Sequence, residues 1–187
     1  MVEKYNTTEE ESLLIEHCIA GDHSSQKVLY LKYYLAMYNI AYRILNNQPD
    51  AEEVLQDTFL DVFKSLSAFR QESSLGAWIK RIMIRKAMKY LKKSVKFEEL
   101  PIVESNTSID WANVNLNLED LNKEIQNLPV GYRAVFVLIE IEGLSLKEAS
   151  EELNLSLGTV KSQLFNAKKY LQKRLGFKKK TDDREQS

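Results

Sequence analysis

Residues 144–175 read LSLKEASEELNLSLGTVKSQLFNAKKYLQKRL, and this stretch decides the fold. Ser145 and Glu148 form an S-x-x-E capping pattern, which predicts a helix from Leu146 to about Asn154. Asn tolerates the left-handed backbone of a tight turn. Ser156 then caps a second predicted helix from Leu157. Small Ser150, turn residue Asn154 and β-branched Val160 fall at the spacing of a helix-turn-helix. The first lets the helices approach, the second permits the turn and the third plugs the angle between them. On the second helix, Val160, Leu164, Ala167 and Leu171 are expected to pack inward. Thr159, Lys161, Ser162, Gln163, Phe165, Asn166, Lys168 and Lys169 are expected on the outer face. Ser, Gln, Asn and Lys are side chains that read base edges and phosphates in a major groove. The alternative is an ordinary helical hairpin with a basic solvent face.

Charge extends the same reading outward. The 187 residues hold 26 Lys and Arg against 27 Asp and Glu, a net charge of −1. That balance hides strong segregation. Arg70–Lys96 carries +8 and Leu157–Lys180 another +8, while Asp50–Phe69 carries −4 and Glu98–Glu124 carries −6. Two basic blocks, each on a helix with an apolar stripe, favour two contacts with a polyanion.

The remaining elements are also predicted helices. EESLLIEHCIAGD places Leu14, Ile15, Cys18 and Ile19 at helical spacing and stops at Gly21. In SSQKVLYLKYYLAMYNIAYRIL, the stripe Leu31, Tyr34, Leu35, Tyr38, Ala41, Tyr42 and Leu45 is expected to be core. After NNQPD, Asp50 is the expected N-cap of a helix running to Leu66. Its apolar face is Val54, Leu55, Thr58, Phe59, Val62, Phe63 and Leu66, and its polar face is Glu52, Glu53, Gln56, Asp57 and Asp61. Polar RQESS leads into SLGAWIKRIMIRKAMKYLKK, where Leu75, Trp78, Ile79, Ile82, Met83 and Ala87 are expected inside. These four helices suit one compact bundle. Residues 98–117 have weak periodicity and read as a linker, with Trp111 either docked on a neighbour or in a local cluster. Twenty such residues reach at most ~65 Å. A second helical unit begins near Leu118, with Pro129 near a helix start and Gly143 at a stop. The expected fold class is all-α: two small helical domains joined by a linker, the C-terminal one a helix-turn-helix.

Composition excludes several classes. Cys18 is the only cysteine and reads as a small buried hydrophobe. His17 and His23 lack metal-ligand spacing, so no metal and no cofactor is expected. The acidic start MVEKYNTTEEE is no signal peptide, and AVFVLI is too short to span a bilayer, so a cytoplasmic protein without membrane insertion is expected. No Gly-rich phosphate loop or nucleophile–base arrangement suggests an enzyme.

Four motifs in this order resemble the extracytoplasmic-function (ECF) sigma factors of bacterial RNA polymerase: DAEEVLQDTFLDVFKSLSAFR, SSLGAWIKRIMIRKAMKYLKK, LPVGYRAVFVLIEIEGLSLKEASEEL and LSLGTVKSQLFNAKKYL. The resemblance implies a region 2-like domain over 1–97, a linker over 98–117, a region 4-like domain over 118–180 and a disordered tail over 181–187. It implies binding to core RNA polymerase, at the clamp helices of the largest subunit and the flap of the second-largest, and to promoter DNA. Asp50, Glu53, Gln56 and Asp57 match the clamp-docking segment, although as a pattern alone they suit a solvated face. Phe69, Arg70, Ser73 and Ser74 resemble the loop that captures a flipped −10 base. Trp78, Lys80, Arg81 and Arg85 resemble the helix that holds the melting strand, though Trp78 also reads as core. The recognition helix resembles the reader of the −35 element. An anti-sigma factor is a further partner the resemblance implies.

The chain departs from the common family pattern at Ser150 and Asn154, where Ala and Gly are usual, at Gln163 and Asn166, where Arg is usual, and at Arg85, where Asn is usual. Asn and Gln suit adenine better than guanine. The alternatives are a free-standing helix-turn-helix regulator and a sigma-like protein that does not initiate.

Overall fold

In a computed structural model, the described residues are 8–94 and 118–175. The chain divides between residues 96 and 97 into two compact units. The expected linker with Trp111, the end of the second basic block and the expected tail all lie outside the described residues. Among the described residues every regular element is helical.

The first unit holds α1 (Glu9–Ile19), α2 (His23–Leu45), α3 (Gln48–Ser65), a 3-10 turn (Leu66–Ala68) and α4 (Leu75–Ser94). Thr8 caps α1, and Gly21 takes φ +85 in the turn to α2, where a residue with a Cβ would be strained. Asp22 caps α2 by accepting from the Ser24 and Ser25 amides. Asn46 closes α2 in the left-handed region. The next helix starts three residues earlier than expected. Asn47, not Asp50, is its N-cap, accepting from the Asp50 amide, and Pro49 sits in the first turn, where its missing N–H costs nothing. Asp50 instead places a carboxylate in that turn, where the helix dipole favours it.

Helices α2, α3 and α4 pack on one another and α1 packs on α2. The core is Leu29, Ile44, Leu55, Val62, Leu66, Leu75, Ile79, Met83 and Met88, with Cys18 buried as expected. The hydroxyl of buried Thr58 donates to the Val54 carbonyl at 2.7 Å, so this core polar group is satisfied.

The largest correction to the sequence reading is on α2. Leu29, Met37, Ile40, Ala41, Ile44 and Leu45 form its buried stripe. Of the expected stripe, only Ala41 and Leu45 are buried, and Leu31 and Leu35 are 61% and 65% exposed. The helix is apolar on more than one side, so periodicity alone could not choose between the stripes. On α4, Ile84 is buried, whereas Ile82 and Trp78 are only half-buried.

The second unit holds α5 (Leu118–Gln126), α6 (Val130–Phe136), a π-helical segment (Val137–Ile141), α7 (Leu146–Leu153) and α8 (Leu157–Arg174). Arg133 is buried and donates through Nη1 to the Gln126 and Leu128 carbonyls at 3.3 and 3.1 Å. It thereby satisfies carbonyls at the C-terminal end of α5. Burial pushes its guanidinium pKa down. The π segment interrupts what the sequence presents as one helix. There the Glu142 amide bonds back five residues to the Val137 carbonyl.

The helix-turn-helix forms as expected. Ser145 and Glu148 make a complete capping box, with the Glu148 carboxylate 2.9 Å from the Ser145 amide. Asn154 takes φ 55, and Ser156 accepts from the Thr159 amide at 3.0 Å. Val160 is fully buried at the corner. In α7 the fully buried small residue is Ala149, while Ser150 is half-buried.

Candidate nucleic-acid and protein interfaces

In the first unit, the loop after the 3-10 turn and the first turns of α4 enclose a pocket of about 440 Å³. Its walls are Ala68, Phe69, Arg70, Glu72, Ser73, Trp78 and Arg81. The Phe69 and Trp78 rings lie 5.3 Å apart at 46°, forming an aromatic wall flanked by two guanidinium groups. Gln71, in the same loop, takes the left-handed φ of 57. Five of the eight residues expected at a −10 element therefore converge here. Trp78, expected inside, is half-buried against Phe69 and lines this pocket. The other three lie apart. The Ser74 hydroxyl accepts from the Ala77 amide at 3.2 Å and caps α4. Lys80 is half-buried on α4, and exposed Arg85 opens onto a second groove.

That groove, of about 460 Å³, lies between α3 and α4 and is lined by Asp61, Lys64, Ser65, Ile82, Arg85, Lys86 and Lys89. The sequence reading assigned no role to Lys64, Lys86 or Lys89. Lys86 lies 2.8 Å from Asp61 and 3.9 Å from Asp57. The signal for Lys86 and Lys89 was present in the basic block, but the face they share with Lys64 required the packing of α3 on α4.

The acidic side of α3 is open. Glu52, Glu53, Gln56 and Asp57 are exposed. Asp50 is half-buried and accepts from the Tyr90 hydroxyl of α4 at 2.9 Å. That bond, with Glu53 nearby, pushes the Tyr90 phenol pKa up to about 12. Beside these acids runs the aromatic ladder of α2. Tyr30 meets Phe59 edge-on at 4.7 Å, and Tyr34, Tyr38 and Tyr42 follow one another at 6.2 and 6.0 Å. With exposed Leu31, Leu35 and Leu60, it makes an apolar surface bordered by carboxylates. Contiguous apolar patches of this kind mark interaction sites.

On α8 the outer face is narrower than expected. Thr159, Ser162 and Gln163 are 4%, 2% and 1% exposed. Thr159 and Ser156 join hydroxyls at 2.8 Å at the start of α8. Gln163 packs on α6, where a Cβ added at Gly131 would come within 3.2 Å of its Oε1. For Gln163 the physical reason is close approach: a glycine in α6 leaves room for its carboxamide against that helix, at a position that helical periodicity placed outside. Leu164, expected inside, is half-buried. Lys161 and Lys169 are exposed, and Phe165, Asn166 and Lys168 half-buried. Lys168 is ion-paired with Glu140 at 2.7 Å. Arg174 is ion-paired with Glu124 at 3.0 Å, which raises its pKa.

Comparison with known proteins matches both units. The family described as Sigma-70 region 2 covers residues 29–97, and Sigma-70 region 4 covers residues 118–171. The ECF RNA polymerase sigma factor SigW of Bacillus subtilis (strain 168) is 31% identical over 154 residues, which are 74% of this chain and 82% of that protein. The RNA polymerase sigma-H factor of Pseudomonas aeruginosa is 27% identical over 184 residues, 90% of this chain and 95% of that protein. Among solved structures, the sigma factor RpoE in complex with the anti-sigma factor NepR from Bartonella quintana shares the fold. Its TM-score is 0.53 at 24% identity, covering 81% of this chain and 96% of that one. The chain therefore belongs to the extracytoplasmic-function subfamily of RNA polymerase sigma factors, the family that directs promoter-specific transcription initiation.

Proposed function

We propose that this chain binds core RNA polymerase through its first unit and directs initiation at promoters read by both units, without catalytic chemistry of its own. In this reading residues 1–97 serve polymerase and the −10 element, and residues 118–180 serve the −35 element. The observation that carries it is the first unit's two-sided design: an acidic, aromatic face on α2 and α3, and a basic aromatic pocket at the start of α4. A free-standing helix-turn-helix regulator has no need of either.

The pocket suits an unstacked base. Aromatic faces stack bases of any sequence, and Arg70 and Arg81 supply charge for phosphates. The groove cations Lys64, Arg85 and Lys89 continue that track. Glu53, Gln56 and Asp57 form the polar part of the polymerase contact, and the ladder of α2 extends it with apolar area. Asp50 contributes through its bond to Tyr90. On α8, Lys161, Phe165, Asn166 and Lys169 meet −35 DNA, while Thr159, Ser162 and Gln163 seat the helix. The same α2–α3 face suits an anti-sigma factor, because occluding it blocks polymerase. No helix among the described residues is long and apolar enough to cross a membrane, and action on polymerase places the chain in the cytoplasm.

The test is run-off transcription from a supercoiled genomic library with sigma-free core polymerase. New transcripts with shared upstream elements support the proposal. Absence of both transcripts and co-elution with polymerase overturns it in favour of the free-standing regulator. Co-elution alone indicates a sigma-like protein that does not initiate.

A further inference from the structure

The recognition helix carries five cations, Lys161, Lys168, Lys169, Lys173 and Arg174. They are not equivalent. Lys161, Lys169 and Lys173 are exposed. Lys168 is turned onto the π-helical segment, where its Nζ lies 2.7 Å from Glu140 Oε1, with the two side chains only 25% and 29% exposed. Water and salt screen a pair in such a position less than an exposed one. The wide turn fits this placement. The Glu142 amide reaches the Val137 carbonyl, and the Leu144 amide the Leu138 carbonyl, each at 2.9 Å. A π turn adds a residue to the helical repeat and so re-aims the side chains around it. Glu140 is one of the five residues in that segment.

We propose that Glu140 is a positioning residue that holds Lys168 inward, so that Lys168 anchors the middle of the recognition helix instead of neutralising a DNA phosphate. Two of the five cations on α8 are thus held by acids of the same unit, Lys168 by Glu140 and Arg174 by Glu124. The ionic footprint on DNA falls to the exposed lysines. This limits sequence-independent attraction, which scales with the number of phosphates neutralised, and leaves discrimination to Asn166 and its neighbours. The proposal rests on α8 being the DNA-facing helix.

Salt titration of the full chain binding a labelled mixed-sequence duplex tests it, with folding checked by circular dichroism for each variant. Each phosphate contact contributes about −0.9 to the slope of log K against log salt. Lys161→Gln should flatten the slope by about 0.9, whereas Lys168→Gln should leave it unchanged. Glu140→Gln should release Lys168 and steepen the slope by up to about 0.9, which corresponds to about eightfold tighter binding at 0.1 M salt relative to 1 M. In the Glu140→Gln/Lys168→Gln double variant the slope should return to the parent's. Lys168→Gln flattening the slope as much as Lys161→Gln would overturn the proposal, because Lys168 would then be a phosphate contact. Equally, a folded Glu140→Gln with the parent slope would overturn it. If Lys161→Gln also has no effect, the DNA-facing reading of α8 fails first and carries the proposal with it.

Discussion

Gln163 separates two accounts of the recognition helix. Its type and spacing suit a base contact, yet it is 1% exposed and packs against Gly131. Gln163→Ala removes a methylene and a carboxamide from a packed site. The methylene is worth about 0.8 kcal/mol. A residual hole of roughly 50 Å³ adds about 1.2 kcal/mol at the cavity coefficient for core truncations. The expected loss is therefore about 2 kcal/mol, which for a unit of this size lowers the melting temperature by about 10 °C. Thermal unfolding of the full chain measures the shift, and hydrogen exchange across α6 and α8 assigns it to the second unit. Gly131→Ala provides a partner test. Its Cβ would sit 3.2 Å from Gln163 Oε1, so the Gln163 carboxamide must give by a few tenths of an ångström, a packing cost set against the gain in helix propensity of Ala over Gly. With Ala at 163 the new methyl has room, and the double variant should recover part of the loss, with a coupling of about 0.5 kcal/mol or more. Asn166→Ala should behave oppositely, changing −35 preference while leaving unfolding nearly unaltered. The reasoning is refuted if Gln163→Ala unfolds like the parent and changes base preference.

Other outcomes follow from the same geometry. Tyr90→Phe removes the bond to Asp50 and should delete one phenol from the alkaline absorbance titration near its value of about 12. Because folding raises that pKa from 10.0, its contribution to stability is intact below pH 10 and is lost as pH rises towards 12, so the variant's stability should vary less across that window. Asn154→Ala places a Cβ without a compensating amide at φ 55 and should cost about 1–2 kcal/mol, with Asn154→Gly nearly neutral in denaturant melts. Leu35→Glu, at a 65% exposed position, should change stability by no more than about 0.5 kcal/mol. It should nonetheless weaken co-elution with core polymerase, and unaltered co-elution would exclude the α2 ladder from that contact.

The all-helical class, the break between units and the helix-turn-helix were legible because local chemistry specifies them. Caps, a capping box and an Asn suited to the left-handed turn act within a few residues of themselves, as Ser145, Glu148, Asn154 and Ser156 show. The acidic face of α3 and the basic blocks were legible for the same reason, since charge is a property of the chain before it folds.

What lay beyond the sequence was every choice between equivalent faces. Helix α2 offers two apolar stripes, and only packing against α3 and α4 decides that Leu29, Met37, Ile40 and Ile44 go inside while Leu31 and Leu35 stay out. Gln163 looks like a reader until Gly131, 32 residues earlier, is found beneath it. Lys168 looks like a phosphate contact until the π turn brings Glu140 to 2.7 Å. Periodicity records which residues share a side of a helix. It does not record how closely another helix approaches that side, and close approach decides which polar groups remain for DNA and polymerase.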